Sequence, residues 1–214
     1  MRIFIITILI IFLCFFLITG CMQEQENITG ENKLLEIIEK NKEIDTENKS
    51  DNVGELQEPS YLSLYEGLHV TGHPIEVDIN TYRLEVVGAV ESPLSLTFDE
   101  IKKMDLERRY VVLECPGFFV DEGYWTGVRV RDILEMAEVK RGATEVAFTS
   151  IDNSYTKKLP LEEVMQEGFL IAYEFNDKEF SEVHGYPLRI VAEGKPGSVW
   201  VKWLGKIEVY IDSN

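Results

Sequence analysis

The residues with the most chemical reach lie in the second half of the chain. Glu114-Cys115-Pro116-Gly117 sets a cysteine at the end of a β-rich run from Arg109 to Glu114, and a proline and a glycine force a turn directly after it. Strand ends of that kind aim side chains into clefts. A thiol so placed is either a small buried hydrophobe or a group kept for its sulfur, as nucleophile or metal ligand. Cysteine–histidine hydrolysis is permitted by His69, His73 and His184, but no nucleophile motif accompanies them. A tetrahedral zinc site is disfavoured, because scattered histidines and the one cysteine of this half of the chain do not give its ligand spacing. His184-Gly185-Tyr186-Pro187-Leu188-Arg189 reads as a turn entering a strand, with a histidine at one end and an arginine at the other. Gly194-Lys195-Pro196-Gly197-Ser198 is a basic, glycine-bearing loop, and Lys202 follows between Trp200 and Trp203. Such a loop is either a plain turn or an anion cradle. Arg189, Lys195 and Lys202 crowd one stretch of an acidic chain, which a negatively charged ligand would account for.

The elements that must position these residues read as short strands and short helices. Tyr82 to Gly88 alternates like a strand, and Glu145 to Ser150, Phe169 to Phe175, Leu188 to Ala192 and Ile207 to Ile211 also read as strands. Thr97 with Glu100 three residues on predicts a capped helix start. Val130 to Ala137 has helical spacing, and Pro160 opens a further helix through Met165. No internal repeat and no regular βαβ rhythm is visible, so the expected class is α+β, with mixed β-sheets and short helices.

Composition narrows the classes further. The 214 residues carry 38 acids against 21 bases, a formal charge of −17. That balance excludes the electrostatic footprint of a nucleic-acid binder and a polybasic attachment to anionic lipid. A hydrophobic fraction of 45% is enough for a real core, and three cysteines do not make a disulfide scaffold.

Met1 to Gly20 is one arginine followed by an apolar run from Ile3 to Ile18. The run is short for a membrane span and has the order of a secretory signal. Ile18-Thr19-Gly20-Cys21 resembles the lipobox of exported lipoproteins, in which the cysteine is freed by cleavage and lipidated. The expectation is a signal over 1–20 with Cys21 lipidated, and a retained signal anchor is the alternative. Either places the protein on the extracytoplasmic side of a cell membrane. Residues 21–60 are an expected acidic tether, with a short helix over Lys33 to Lys40. From Met22 this stretch holds eleven acids, four lysines and no aromatics. The folded domain is expected over 61–214, and within it Cys115 is the lone thiol.

Taken in order, these segments resemble the molybdopterin-binding domain of the sulfite oxidase family, from about Val77 to Val209. Tyr82-Arg83-Leu84 through Gly88, the Glu114-Cys115-Pro116-Gly117 turn and Trp125-Thr126-Gly127-Val128 leading to Asp132-Ile133-Leu134 carry the first half. Phe148 through Asp152, Leu170-Ile171-Ala172-Tyr173-Glu174, the His184 to Arg189 turn and Val201-Lys202-Trp203-Leu204 carry the second. The resemblance implies that Cys115 is the catalytic and metal residue, its thiolate binding molybdenum beside the pterin dithiolene; tungsten is left open. It implies that Asp152, His184 and Arg189 contact the pterin, that Lys202 lies near its phosphate, and that Trp200 and Val201 are backbone neighbours of that phosphate. His73 matches, more loosely, a histidine of an N-terminal cofactor-contacting segment.

Three departures bear on function. Where the family follows its metal-binding cysteine with arginine-bearing residues, this chain has Pro116-Gly117-Phe118-Phe119-Val120 and no charge until Asp121; Thr71 stands near another expected arginine. A neutral or weakly polar small-molecule substrate, or none, is therefore expected in place of sulfite or nitrate. The chain stops at Asn214, so a stand-alone, monomeric module delivering electrons to a separate partner is expected. The signal has only Arg2, where exported molybdenum proteins usually carry paired arginines. Two readings stay open: a membrane-anchored molybdopterin oxidoreductase, and a non-catalytic extracytoplasmic binding module that keeps the fold without the metal.

Overall fold

A computed structural model describes residues 59–211. The expected signal, Cys21, the Lys33 to Lys40 helix and nearly all of the tether lie outside the described residues. The chain runs β1 (Leu64–Tyr65), β2 (Leu68–His69), β3 (Leu84–Gly88), β4 (Leu94–Leu96), α1 (Phe98–Lys102), β5 (Leu106–Cys115), β6 (Phe119–Arg129) and α2 (Val130–Met136). It continues with β7 (Glu145–Ser150), β8 (Thr156–Pro160), α3 (Leu161–Val164), β9 (Phe169–Phe175), β10 (Lys178–Glu179), β11 (Arg189–Ala192) and β12 (Leu204–Tyr210). Short 3₁₀ turns cover Glu182–His184 and Gly197–Val199.

Two five-stranded sheets carry the domain. One has the order β4-β3-β12-β7-β8, with β3 and β12 parallel and the other neighbours antiparallel. In the other, β5 pairs β6, β6 pairs β9, and the far edge of β9 is shared by β10 and β11. The α+β expectation holds: the helices are short and the sheets mixed. Leu84, Val86, Phe148 and Ile207 from the first sheet and Val111, Trp125, Leu170 and Ile190 from the second enter a single apolar core. The helix start at Thr97 is a full capping box. Thr97 Oγ1 accepts from the Glu100 amide, and Glu100 Oε2 accepts from the Thr97 amide at 2.8 Å.

The β5–β6 hairpin positions the site. Its ladder runs in unbroken register from Leu106↔Val128 to Cys115↔Phe119. The turn Pro116-Gly117-Phe118 closes it, with Gly117 at φ +81 and the Phe118 amide donating to the Cys115 carbonyl at 3.0 Å. Strand β6 is not legible in the sequence, because Gly123 and Gly127 break its β pattern. Gly127 is there for space: a Cβ would lie 2.2 Å from the Ile171 carbonyl oxygen, where β9 crosses close and the ladder shifts register. Strand β8 was also unread, since its lysines leave no alternation.

Candidate functional site

Cys115 ends β5 half-buried and with a free thiol. It opens on a cleft of about 250 Å³ whose lining includes Phe118, Phe119, Thr71, Arg189 and Trp200. Gly197 brings the 3₁₀ turn up against it: a Cβ there would sit 3.9 Å from Cys115 Sγ. The thiol is pushed up in pKa, first by burial and then by the charge of Asp121. It therefore holds its proton at neutral pH until something displaces it.

Arg189 begins β11 and is buried. Nη1 donates to the His184 carbonyl at 3.1 Å, and the guanidinium lies 5.1 Å from the Trp125 ring centre and 5.8 Å from that of Phe180. Its Nε is buried without a partner, and among the described residues no carboxylate lies within 4 Å of it. Burial alone brings its pKa down to about 10. A fully desolvated cation without a carboxylate beside it is costly, and a bound anion would relieve that cost.

His184 closes the Glu182–His184 turn. Its Nε2 lies 2.7 Å from the Tyr65 carbonyl, which only accepts, so Nε2 carries the proton. Nδ1 is then a buried acceptor with no partner. Burial, ahead of the repulsion from Arg189 and Lys202, pushes the ring down to about 4. Gly185, at φ +105, lets the chain turn where a Cβ would meet the Lys202 side chain at 3.0 Å. Lys202 Nζ donates to the carbonyls of Thr71 and, at 2.8 Å, Val183, and sits 4.2 Å from the Trp203 ring centre. Burial, then Arg189, brings its pKa down to about 7.

These shifts predict a pH effect. His184 titrates near 4 in the fold and near 6.5 unfolded, so the unfolded chain binds the extra proton between those values. Stability present above pH 6.5 is lost as pH falls toward 4, by up to about 3 kcal/mol. Urea unfolding of the domain at a series of pH values, repeated on His184→Gln, is expected to show that loss in the wild type and a smaller one in the variant.

The structure thus brings Cys115, His184, Arg189, Trp200 and Lys202 to one region. Trp200 lines the cleft, with its Nε1 donating to the Lys195 carbonyl at 3.2 Å and its ring edge-on to Trp125. Three predicted residues stand apart. Val201 is in the core, its amide bonded to the Val199 carbonyl and its carbonyl to the Ile190 amide. Asp152 is exposed in the β7–β8 turn, where Oδ1 accepts from Ser150 Oγ at 2.7 Å and from the Ser154 amide at 3.0 Å. Those bonds hold its carboxyl below the usual range. His73 is exposed just beyond Gly72, which lies against the Trp203 ring. Lys195 corrects the sequence reading of the basic cluster: its Nζ pairs with Glu163 at 3.0 Å, so it is not held in reserve for an anion.

Sequence reasoning did not bring Asp121 and His69 together. Both are buried, and His69 Nδ1 lies 2.6 Å from Asp121 Oδ1. The signal was there in part: in β6 the inward positions are Phe119, Asp121, Gly123 and Trp125, so a strand assignment would have put an acid on the core face.

Residues 70–214 match the family described as oxidoreductase molybdopterin binding domain. The chain belongs to that family. It is 31% identical over 186 residues to the mitochondrial sulfite oxidase of Rattus norvegicus, covering 72% of this chain and 34% of that one. It is 32% identical over 142 residues to the uncharacterized oxidoreductase YuiH of Bacillus subtilis (strain 168), covering 66% of this chain and 71% of that one. The chain spans about a third of the length of the mammalian sulfite oxidases it matches. Its fold is that of the sulfane dehydrogenase SoxCD from Paracoccus pantotrophus, at a TM-score of 0.65 and 23% identity, covering 79% of this chain and 52% of that one.

The residues present fit the cofactor the family implies. Buried Arg189, whose Nε has no partner, and the buried Lys202 suit an anionic phosphate, and the partnerless Nδ1 of His184 suits a ring N–H. A half-exposed thiol suits a soft metal.

Proposed function

We propose that this chain is a membrane-anchored, extracytoplasmic, molybdopterin-dependent oxidoreductase. It acts on a neutral or weakly polar small molecule and hands electrons to a separate partner. The observation that carries the reading is the free Cys115 thiol opening on a cleft that also holds an uncompensated buried arginine. The cofactor, when bound, supplies two-electron chemistry, and the protein supplies orientation and electrostatics. Cys115 would be the metal ligand, with Arg189 and Lys202 on the phosphate side and His184 Nδ1 accepting from the pterin ring. Phe118, Phe119 and Trp200 make the cleft lining beside the thiol aromatic.

The substrate reading rests on the cleft wall. Thr71, Phe118 and Phe119 stand there, and the carboxylate of Asp121 puts its field on Cys115. An oxyanion in such a place needs charge-assisted partners, and Arg189 is taken by the cofactor in this reading. Metal-loaded protein is expected to turn over neither sulfite nor nitrate at ordinary rates, and steady sulfite oxidation would contradict this. Anchoring rests on the Ile18-Thr19-Gly20-Cys21 sequence. Mass spectrometry of the mature protein is expected to show a lipidated N-terminal Cys21, and an intact Met1 would refute the lipoprotein.

A second reading, a binding module without the metal, is favoured by one observation. His184 Nε2 and Lys202 Nζ already have partners within the chain, the carbonyls of Tyr65 and Thr71. Metal content separates the two readings.

A further inference from the structure

Asp121 is the one buried acid among the described residues. It stands on the inward face of β6, opposite Leu113 and two positions from the cleft-lining Phe119. Its carboxylate accepts from His69 Nδ1 at 2.6 Å and from the His69 backbone amide at 3.2 and 3.1 Å. The His69 ring in turn lies nearly parallel to that of Phe119, with centres 4.7 Å apart. The carboxylate therefore grips both the main chain and the side chain of β2.

What it grips matters because the chain on either side of β1 and β2 lines the cleft. The Leu62 amide bonds to the Val70 carbonyl at 2.8 Å and the Val70 amide to the Ser63 carbonyl at 2.9 Å, so the two arms of the segment are tied together. Tyr61, Leu62 and Thr71 from this segment line the cleft. Its carbonyls also orient two site residues: Tyr65 receives His184 Nε2, and Thr71 receives Lys202 Nζ. Leu68 and Val70 anchor the hairpin in the interior, but apolar burial is non-directional and does not fix where carbonyls point. The short, charge-assisted bonds to Asp121 do. The same carboxylate lends its field to Arg189.

We propose that Asp121, acting through His69, is a positioning residue of this site: it fixes the N-terminal hairpin as the cleft wall and, through the Tyr65 and Thr71 carbonyls, the orientation of His184 and Lys202. The cofactor arm of this inference rests on the molybdopterin reading above; the placement of the wall does not.

The test uses the full-length protein and three variants. His69→Phe keeps a ring to stack on Phe119 and deletes the Nδ1 donor. His69→Asn restores a donor near that place, and Asp121→Asn removes the charge. Amide hydrogen exchange is read at Leu62, His69 and Val70 and, for comparison, along β9 and β12; bound molybdopterin is measured on the same preparations. For His69→Phe the hairpin amides are expected to exchange about tenfold faster with β9 and β12 unchanged. Retained molybdopterin is expected to fall about tenfold. His69→Asn is expected to stay close to wild type in both. Unchanged hairpin exchange in His69→Phe overturns the proposal. So does a uniform rise across β9 and β12, which would mark a general stabilising role, and so does His69→Asn behaving like His69→Phe. Should Asp121→Asn fail to fold, the two His69 variants still decide. Wild-type protein without any molybdopterin would instead refute the cofactor reading, leaving the exchange measurement to decide where the wall is set.

Discussion

Arg189→Met is expected to make the cofactor-free domain more stable while it loses the cofactor. The guanidinium is fully buried, has no carboxylate within 4 Å among the described residues, and has its pKa brought down to about 10 by burial. That shift corresponds to about 3 kcal/mol held against the charged form. Methionine fills a similar volume, keeps contact with Trp125 and Phe180, and removes the charge. It forfeits the bond to the His184 carbonyl, worth about 1 kcal/mol. The net expectation is a gain of about 2 kcal/mol in unfolding free energy, read by urea denaturation of cofactor-free protein. Retained molybdopterin is expected to fall at least about tenfold in the same variant, because the phosphate loses its buried partner. Destabilisation with normal cofactor content would mean that Arg189 is a structural cation, and the anion-site argument would fail. Opposite signs for stability and retention are the mark of a residue selected for a ligand.

Cys115→Ser is expected to separate metal from fold. The thiol is half-exposed and makes no hydrogen bond in the described structure, so replacing sulfur by oxygen is expected to leave stability within about 0.5 kcal/mol. A hydroxyl is a hard, weakly acidic donor and a poor substitute for a thiolate on a soft metal. Molybdenum content is therefore expected to fall at least about tenfold, while the urea midpoint stays in place. Full metal content in the variant would remove Cys115 from the role given to it.

Much of the architecture was open to reading from the sequence, and the reasons are physical. β9 shows over Phe169 to Phe175 because a strand buried on both faces is continuously apolar. The Thr97 and Glu100 pair announces a helix start because reciprocal capping needs those two side chains at that spacing. β6, the longest strand, was hidden, since its glycines serve close approach to β9 and to Phe175, a tertiary demand that local pattern does not encode.

The site divides the same way. Cys115, His184, Arg189 and Lys202 stand out by residue type and by the turns that flank them, and they come together. Lys195 has the right type but meets Glu163 across the fold. Asp152 has the right place in order, yet its carboxylate is bound within its own turn. Asp121 and His69 are separated by 52 residues and meet only because the N-terminal hairpin lies on β6, so neither looks remarkable in sequence.

The account turns on whether this cleft holds a metal bound through Cys115. The direct test is elemental analysis, with parallel assay of the released pterin, on wild-type protein purified from its native host. About one molybdenum or tungsten and one molybdopterin per chain is the result expected here. Folded protein carrying neither would contradict the oxidoreductase reading and leave a binding module with the same architecture.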